Sequence, residues 1–407
     1  MAVTTETPSR PSVRRWIPLA AVLLAVGVST AIAFPFLALF LDTEVQAGPV
    51  RVTVFLVAAP LSSVVVSTLI GRLSDRRPMR RVLLVVVALA GCLGAALTAF
   101  VRDYFVLLGL TVTATAVAGA LMPQVFAYAR EVVQGSPKAA MTMSSLRTLF
   151  SIAWVAGPPL AAVLLETGGF RLVYGSASLM YALAALVAFA WLAPSPAERA
   201  GPAPAAPAGP DGPDEPPPAR AAGPDAPRSV ILLTVAAFAL IQCAGNLGVQ
   251  AMPLFISQDL GGSVGDAGFI LGLCAALEIP LMLGFGALAA RFPLRRLMLA
   301  GPACSLAYFA VAATAHATWQ LAAGQLLLAC SIAVVGGLGV TYVQDMLPRH
   351  PGRASTLFSN AFPIGAMLAG PVLGAAQHFG YRSAYAAGVA LCAVALVLLL
   401  VSRPRRV

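Results

Sequence analysis

Twelve stretches of the chain are long and apolar enough to cross a bilayer, and that repetition leaves few folds open. Crossing the hydrocarbon takes about 20 apolar residues. Inside it every backbone N–H and C=O must bond within the protein, which a helix does by itself. The runs fall at about 17–41, 52–70, 82–101, 104–128, 143–165, 172–192, 229–256, 268–290, 297–315, 319–343, 355–376 and 383–402. The first is too long for a signal-peptide core and lacks a cleavage site, so it counts as a helix. Length alone would allow two or three soluble domains. Only 10% of the 407 residues are charged, however, against about 25% in an average soluble domain, too few to cover a surface in water. The expected fold is therefore an all-α integral membrane protein with twelve transmembrane helices.

The net charge of +10 does not point to nucleic acid, because the cations sit in short clusters between apolar runs. If the N-terminus is placed inside, 21 cations fall in inner segments. Only Arg51, Arg102, Arg171 and Arg382 fall in outer ones, and Arg147 lies within the fifth run. The positive-inside bias then predicts both termini in the cytoplasm and an even number of helices. The six cysteines all fall in apolar runs without a CxxC pair, so packing is expected of them, with no metal site and no disulfide framework.

Residues 193–228 are dominated by Pro, Ala and Gly and read as a flexible cytoplasmic linker, partly polyproline II. The linker divides the chain into an N-terminal six-helix bundle, 1–192, and a C-terminal one, 229–407. The halves echo each other. GRLSDRRPMRR at 71–81 matches GALAARFPLRR at 286–296 in six of eleven positions, with an offset of 215. TLFS recurs at 148 and 356, and GGFRLVY at 168–174 recurs as FGYRSAY at 379–385, with offsets of 208 and 211. Three matches in one order imply two pseudo-symmetric bundles, an architecture that places its substrate at the midplane between the halves.

Residues 71–81 resemble the helix 2–3 loop motif of the major facilitator superfamily: Gly71, Leu73, Ser74, Asp75, Arg76, Arg80 and Arg81 fit it, while Pro78-Met79 replaces the usual glycine. FLDTEVQAGP (40–49), SSLRTLFSIAWVAGPPLA (144–161), LEIPLMLGFGALAARF (277–292) and STLFSNAFPIG (355–365) look like the bacterial sugar efflux transporter family within it. The linker is longer than that family implies. The resemblance implies a monomeric, multi-pass protein of the bacterial inner membrane that exports sugars or sugar-like solutes, driven by proton antiport and without a cofactor. It also implies that Asp75 pairs with Arg130 as a latch of the cytoplasmic gate, with Gly71, Arg76, Arg80 and Arg81 around it. The arginines have a plainer reading too, as topology and anionic-lipid contacts. Ala290 replaces the acid in the second half, so the latch would be one-sided.

Glu278 is the only acidic residue deep in a predicted span. A carboxylate there is costly unless paired, hydrated or protonated, which suggests proton coupling or hydroxyl binding; a structural ion pair is the plainer reading. Arg147 could pair with a substrate or a carboxylate, or snorkel to the interface. Gln242, Asn246 and Gln250 share one helix face at i, i+4, i+8 and suit sugar hydroxyls as donors and acceptors, or else bond neighbouring helices. Gln325, Asn360 and Trp154 are further candidates to line a cavity. Gly157-Pro158-Pro159 should kink its helix. The three histidines are dispersed, and no phosphate-binding loop occurs, so no enzyme and no ATP drive are expected. The rival readings are a multidrug or natural-product/proton antiporter of the same fold, and a receptor or scaffold that moves nothing.

Overall fold

The computed structural model describes residues 16–76, 79–133, 139–193 and 225–402; the side chains of 75–76, 133, 139–144 and 147 lie outside that description. So does 194–224, the body of the predicted linker. Among the described residues the chain is helical throughout. The helices are α1 (Ile17–Thr43), α2 (Pro49–Arg76), α3 (Arg80–Phe100), α4 (Tyr104–Val132), α5 (139–167), α6 (170–190), α7 (Arg228–Gln258), α8 (Val264–Ala289), α9 (Leu294–Ala313), α10 (Thr318–Met346), α11 (Pro351–Phe379) and α12 (Arg382–Val401). By length and hydropathy eleven runs could cross a membrane, one fewer than the sequence suggests, because α5 and α6 form one continuous helical stretch. Gly168 and Gly169 break it, Gly169 at φ +66°, where a side chain would be strained.

Several local signals set the other boundaries. Asp103 caps α4 by accepting from Phe105 N–H and Val106 N–H at 2.9 and 3.0 Å. Ser263 and Asp266 form a capping box at the start of α8. Two helices are interrupted along their length: Phe34–Phe36, around Pro35, is a 3₁₀ turn in α1, and Thr111–Thr115 is a π turn in α4. Gly157-Pro158-Pro159 lie inside α5 with helical dihedrals, the non-helical ones in this stretch falling at Gly168 and Gly169. These residues serve close packing. A Cβ on Gly157 would stand 3.2 Å from the Ala31 backbone, and one on Gly268 would stand 2.6 Å from Pro158 O.

Apolar packing distinguishes the two ends of the molecule. Toward the arginine-rich loops each half has its own cluster. One runs through Leu23, Leu84, Val125 and Ala184, the other through Phe238, Met298, Val343 and Phe358. At the opposite end one cluster spans both halves, joining Phe36, Phe40 and Phe55 with Phe255, Ile270, Tyr308 and Tyr385. There α8 crosses α5 and α11 crosses α2 at glycines. A Cβ on Gly272 would lie 2.7 Å from Val155 O, one on Gly374 2.6 Å from Pro49 O, and one on Gly370 3.2 Å from Leu56 Cβ. Further along, the same faces lose their cover. On α2 the face that holds Thr53 and Val57 continues through Leu61, Val64 and Thr68, all exposed. On α8 the face of Gly268 and Gly272 continues through Ala276 and Leu283, also exposed. The halves therefore meet at one end and part toward the arginine end.

Candidate functional site

Between the halves lies a cavity of about 450 Å³, within the usual range for small-molecule sites. α7 contributes Gln242 and Asn246, α8 contributes Glu278, α5 contributes Ser151 and Trp154, and α10 contributes Ser331. Four of the residues singled out from sequence thus meet here, from three helices and both halves. Glu278 is partly buried and has no hydrogen-bond or ion-pair partner among the described residues. An unpaired acid facing a cavity can carry a proton or accept from a bound hydroxyl. Asn246 donates from Nδ2 to Gln242 O at 2.8 Å, which keeps the amide against its own helix. The Trp154 indole stands edge-on to Phe34 and Phe150, with centroids 6.2 and 6.5 Å away. Its buried Nε1–H has no acceptor among the described residues. Phe34, Phe150 and Phe362 make the rest of the wall apolar and aromatic.

Other candidates lie elsewhere. Gln250 is 5% exposed and Gln325 fully buried, and neither lines this cavity. Gln325 donates from Nε2 to Tyr308 Oη at 3.3 Å and to Leu321 O at 3.2 Å, a link between helices. Asn360 is exposed on α11 and also lies off the cavity wall. The side chains of Arg147, Asp75 and Arg76 lie outside the described residues, so the latch of Asp75 with Arg130 cannot be traced; Arg130 is exposed near the end of α4. Gly71 is helical, near the C-terminal end of α2. Arg80 pairs with Glu131. Arg81 donates to Ala188 O at 3.3 Å and also to Phe189 O, capping α6. Arg295 does the same in the second half, donating to Ser402 O at 2.7 Å and to Leu399 O and Leu400 O at 3.1 Å. The paired arginine loops thus fasten the helices within each half.

The closed end contains a polar site that the sequence did not reveal. Asp42, at the end of α1, accepts from three side chains of the second half. Gln377 Nε2 donates at 2.7 Å, Gln258 Nε2 at 3.2 Å and Tyr381 Oη at 3.4 Å. Gln377 also donates to Ala47 O at 2.9 Å. One carboxylate therefore ties α1 to α7, α11 and the start of α12 through hydrogen bonds to a charged acceptor, the stronger kind.

The model of the Major Facilitator Superfamily matches residues 19–336 and 233–407. The chain belongs to the major facilitator superfamily. It is 37% identical over 394 residues to a putative sugar efflux transporter of Deinococcus radiodurans, covering 94% of this chain and 97% of the relative. It is 33% identical over 379 residues to sugar efflux transporter A of Escherichia coli K12, covering 93% of each. Among solved structures, the fold matches the nucleoside transporter NupG with a TM-score of 0.70 at 13% identity, over 96% of this chain and 98% of that one. It also matches a bacterial homologue of the human lysosomal transporter Spinster, with a TM-score of 0.74 at 14% identity over 97% of both chains. At such identities these structures speak for the fold alone. The superfamily chain is a multi-pass membrane transporter of small molecules, as the apolar runs and internal repeats imply.

Proposed function

We propose that this transporter exports sugars or sugar-like solutes across the bacterial inner membrane, exchanging them for protons by alternating access. The observation that carries the reading is Glu278, unpaired in a cavity that also presents Gln242, Asn246 and Trp154. Amides and an indole N–H can bond hydroxyls, an aromatic face can stack on a sugar ring, and one acid can exchange a proton with either side. Sugar efflux relatives at 30–37% identity favour the same substrate class. In this reading the arginine end faces the cytoplasm, as do both termini. Two six-helix bundles, 1–192 and 229–407, rock about the cavity as a monomer. The cleft that parts toward the arginine end receives solute, and the Asp42 cluster holds the far side shut. Asp75, Arg130 and the neighbouring loop residues would close the cytoplasmic side in the alternate state.

The aromatic walls at Phe34, Phe150 and Phe362 also suit amphiphilic drugs, the rival substrate class. Proteoliposomes containing the purified protein and a pH dye decide between them. Lactose or glucose is expected to evoke a proton flux that Glu278→Gln abolishes, while cationic drugs evoke none. A response to drugs alone moves the assignment to drug export. Undiminished pH-driven transport by Glu278→Gln rules out proton exchange at this residue.

A further inference from the structure

An open recess of about 530 Å³ lies at the arginine end of the second half, where α7 starts, α10 ends and α11 starts. Asp225, Arg228, His350 and Arg353 line it, beside Leu232 and Leu357. The acid is already engaged. Asp225 Oδ2 pairs with His350 Nδ1 at 2.9 Å, and Oδ1 accepts from Arg349 N–H at 3.3 Å. The arginines are not. Arg228 and Arg353 are exposed, and neither has a hydrogen-bond or ion-pair partner among the described residues. Each stands in the first turn of its helix, where the backbone N–H groups favour an anion and not a second positive charge. A positive-inside bias accounts for cations at this end, but it does not require two of them, unpaired, in one recess.

Apolar surface begins directly beneath the two cations. Leu232 follows Arg228 by one helical turn, and Leu357 follows Arg353 by one turn, so each helix sets a leucine on the same face as its arginine. Both helices run from this end into the span, which places the leucines deeper. Leu232 is 64% exposed. On α11 the face continues through Ile364 and Leu368, 43% and 45% exposed. This face is turned away from the central cavity: Phe362, which lines that cavity, is nine residues from Arg353, about two and a half turns, and so points the opposite way. We propose that the recess holds one anionic phospholipid, its phosphate between the Arg228 and Arg353 guanidiniums and an acyl chain along Leu357, Ile364 and Leu368. Guanidinium groups suit phosphate oxygens through paired hydrogen bonds. A free phosphate would use the arginines and leave the apolar face uncovered. A zwitterionic lipid would bring an ammonium group that finds no open carboxylate, since Asp225 is engaged, whereas a phosphatidylglycerol headgroup brings none. The inference rests on the membrane-spanning fold and not on what the protein transports.

Lipid titration of the full-length protein, delipidated in detergent and followed by native mass spectrometry, tests it. Dioleoyl phosphatidylglycerol is expected to fill one site ahead of all others. Arg228→Gln and Arg353→Gln together should weaken that first binding at least tenfold. Both side chains are exposed and unpaired, so the lipid-free double variant should melt where wild type does. Arg291→Gln with Arg296→Gln removes the same charge from exposed positions at the same end, outside the recess, and should leave the first binding intact. Equal losses in the two double variants would reduce the effect to diffuse attraction and overturn the proposal, as would a first binding that neither pair disturbs. Dioleoyl phosphatidylethanolamine bound as tightly as phosphatidylglycerol would contradict the headgroup assignment. Displacement of the lipid by millimolar inorganic phosphate would show a site for a soluble anion instead.

Discussion

The two ends of the molecule are built from the same repeated unit but are fastened differently. At the end away from the arginine loops the polar and apolar contacts cross between halves: Asp42 draws donors from α7, α11 and Tyr381, and glycines let α2 and α5 lie against α11 and α8. At the arginine end the hydrogen bonds of Arg80, Arg81 and Arg295 stay within one half, and that of His350 ties the second half to the linker at Asp225. The repeated loops do the same job in each half, although with arginines one position apart in the repeat: Arg81 and Arg295 each cap the last helix of their own half. The helix crossings that join the bundles echo as well, α8 on α5 and α11 on α2, but the Asp42 cluster sets one half's acid against the other half's donors. The closed end is thus held by a repeated pair of helix crossings and by one carboxylate cluster beside them.

The difference can be broken most forcefully at Gly374. A side chain there meets the Pro49 carbonyl oxygen, which cannot turn aside as a flexible side chain could. Gly374→Leu should force α11 from α2 and shift the closed end toward opening on the order of a hundredfold, since overpacking costs about 1–3 kcal/mol or more. The check is the fraction of long distances between spin labels at Gln46 and Asp259; an unchanged distribution would mean that the glycine contact does not hold this end shut.

A smaller shift is expected from Asp42→Asn, which keeps the shape and removes the charge. Hydrogen bonds to charged groups contribute about 1.5–3 kcal/mol against 0.5–1.5 for neutral ones, so losing this advantage favours opening by roughly tenfold. The same spin labels report it, and Glu44→Gln, which breaks only the pair with Arg102 in the first half, should leave that distribution alone.

The smallest effect sharpens the contrast from the other side. Burial would raise the Asp225 carboxyl, but hydrogen bonds from His350 and Arg349 N–H and the positive charges of both residues outweigh it and hold the group below its ordinary 3.8. A depressed folded-state value means that the stabilisation is present above pH 3.8 and fades as the pH falls through the lowered value. Removal of the carboxylate in Asp225→Asn should therefore cost a little thermal stability at pH 5 and progressively less below pH 3.8. The cleft distances should not change, because the pair fastens the end of the linker to the second half and touches nothing in the first. A changed cleft would show that the arginine end also carries contacts that set the state.

The spans and the repeat were legible because bilayer thickness and backbone satisfaction leave a chain little choice. The break between α5 and α6 was read from charge and hydropathy, although Gly168–Gly169 lets the helix run nearly unbroken. Helical periodicity grouped Gln242 with Asn246, and both line the cavity, but it could not tell where the cavity stops. Two turns on, Gln250 enters the cluster shared by the halves and is buried there. Gly157-Pro158-Pro159 read as a kink because proline removes a hydrogen bond; what the sequence hid was the neighbouring helix that needs those small surfaces. Asp42 stayed invisible for the same reason, since its partners are 216, 335 and 339 residues away.

Electron–electron distance measurements on two label pairs in a cysteine-free background test the central claim most directly. Thr68→Cys with Ser359→Cys spans the arginine end, and Gln46→Cys with Asp259→Cys spans the other. Without solute the account predicts a long distance at the first pair and a short one at the second, and a pH gradient with lactose should exchange them. Long distances at the Asp42 end in the resting protein, or two ends that open together, would contradict it.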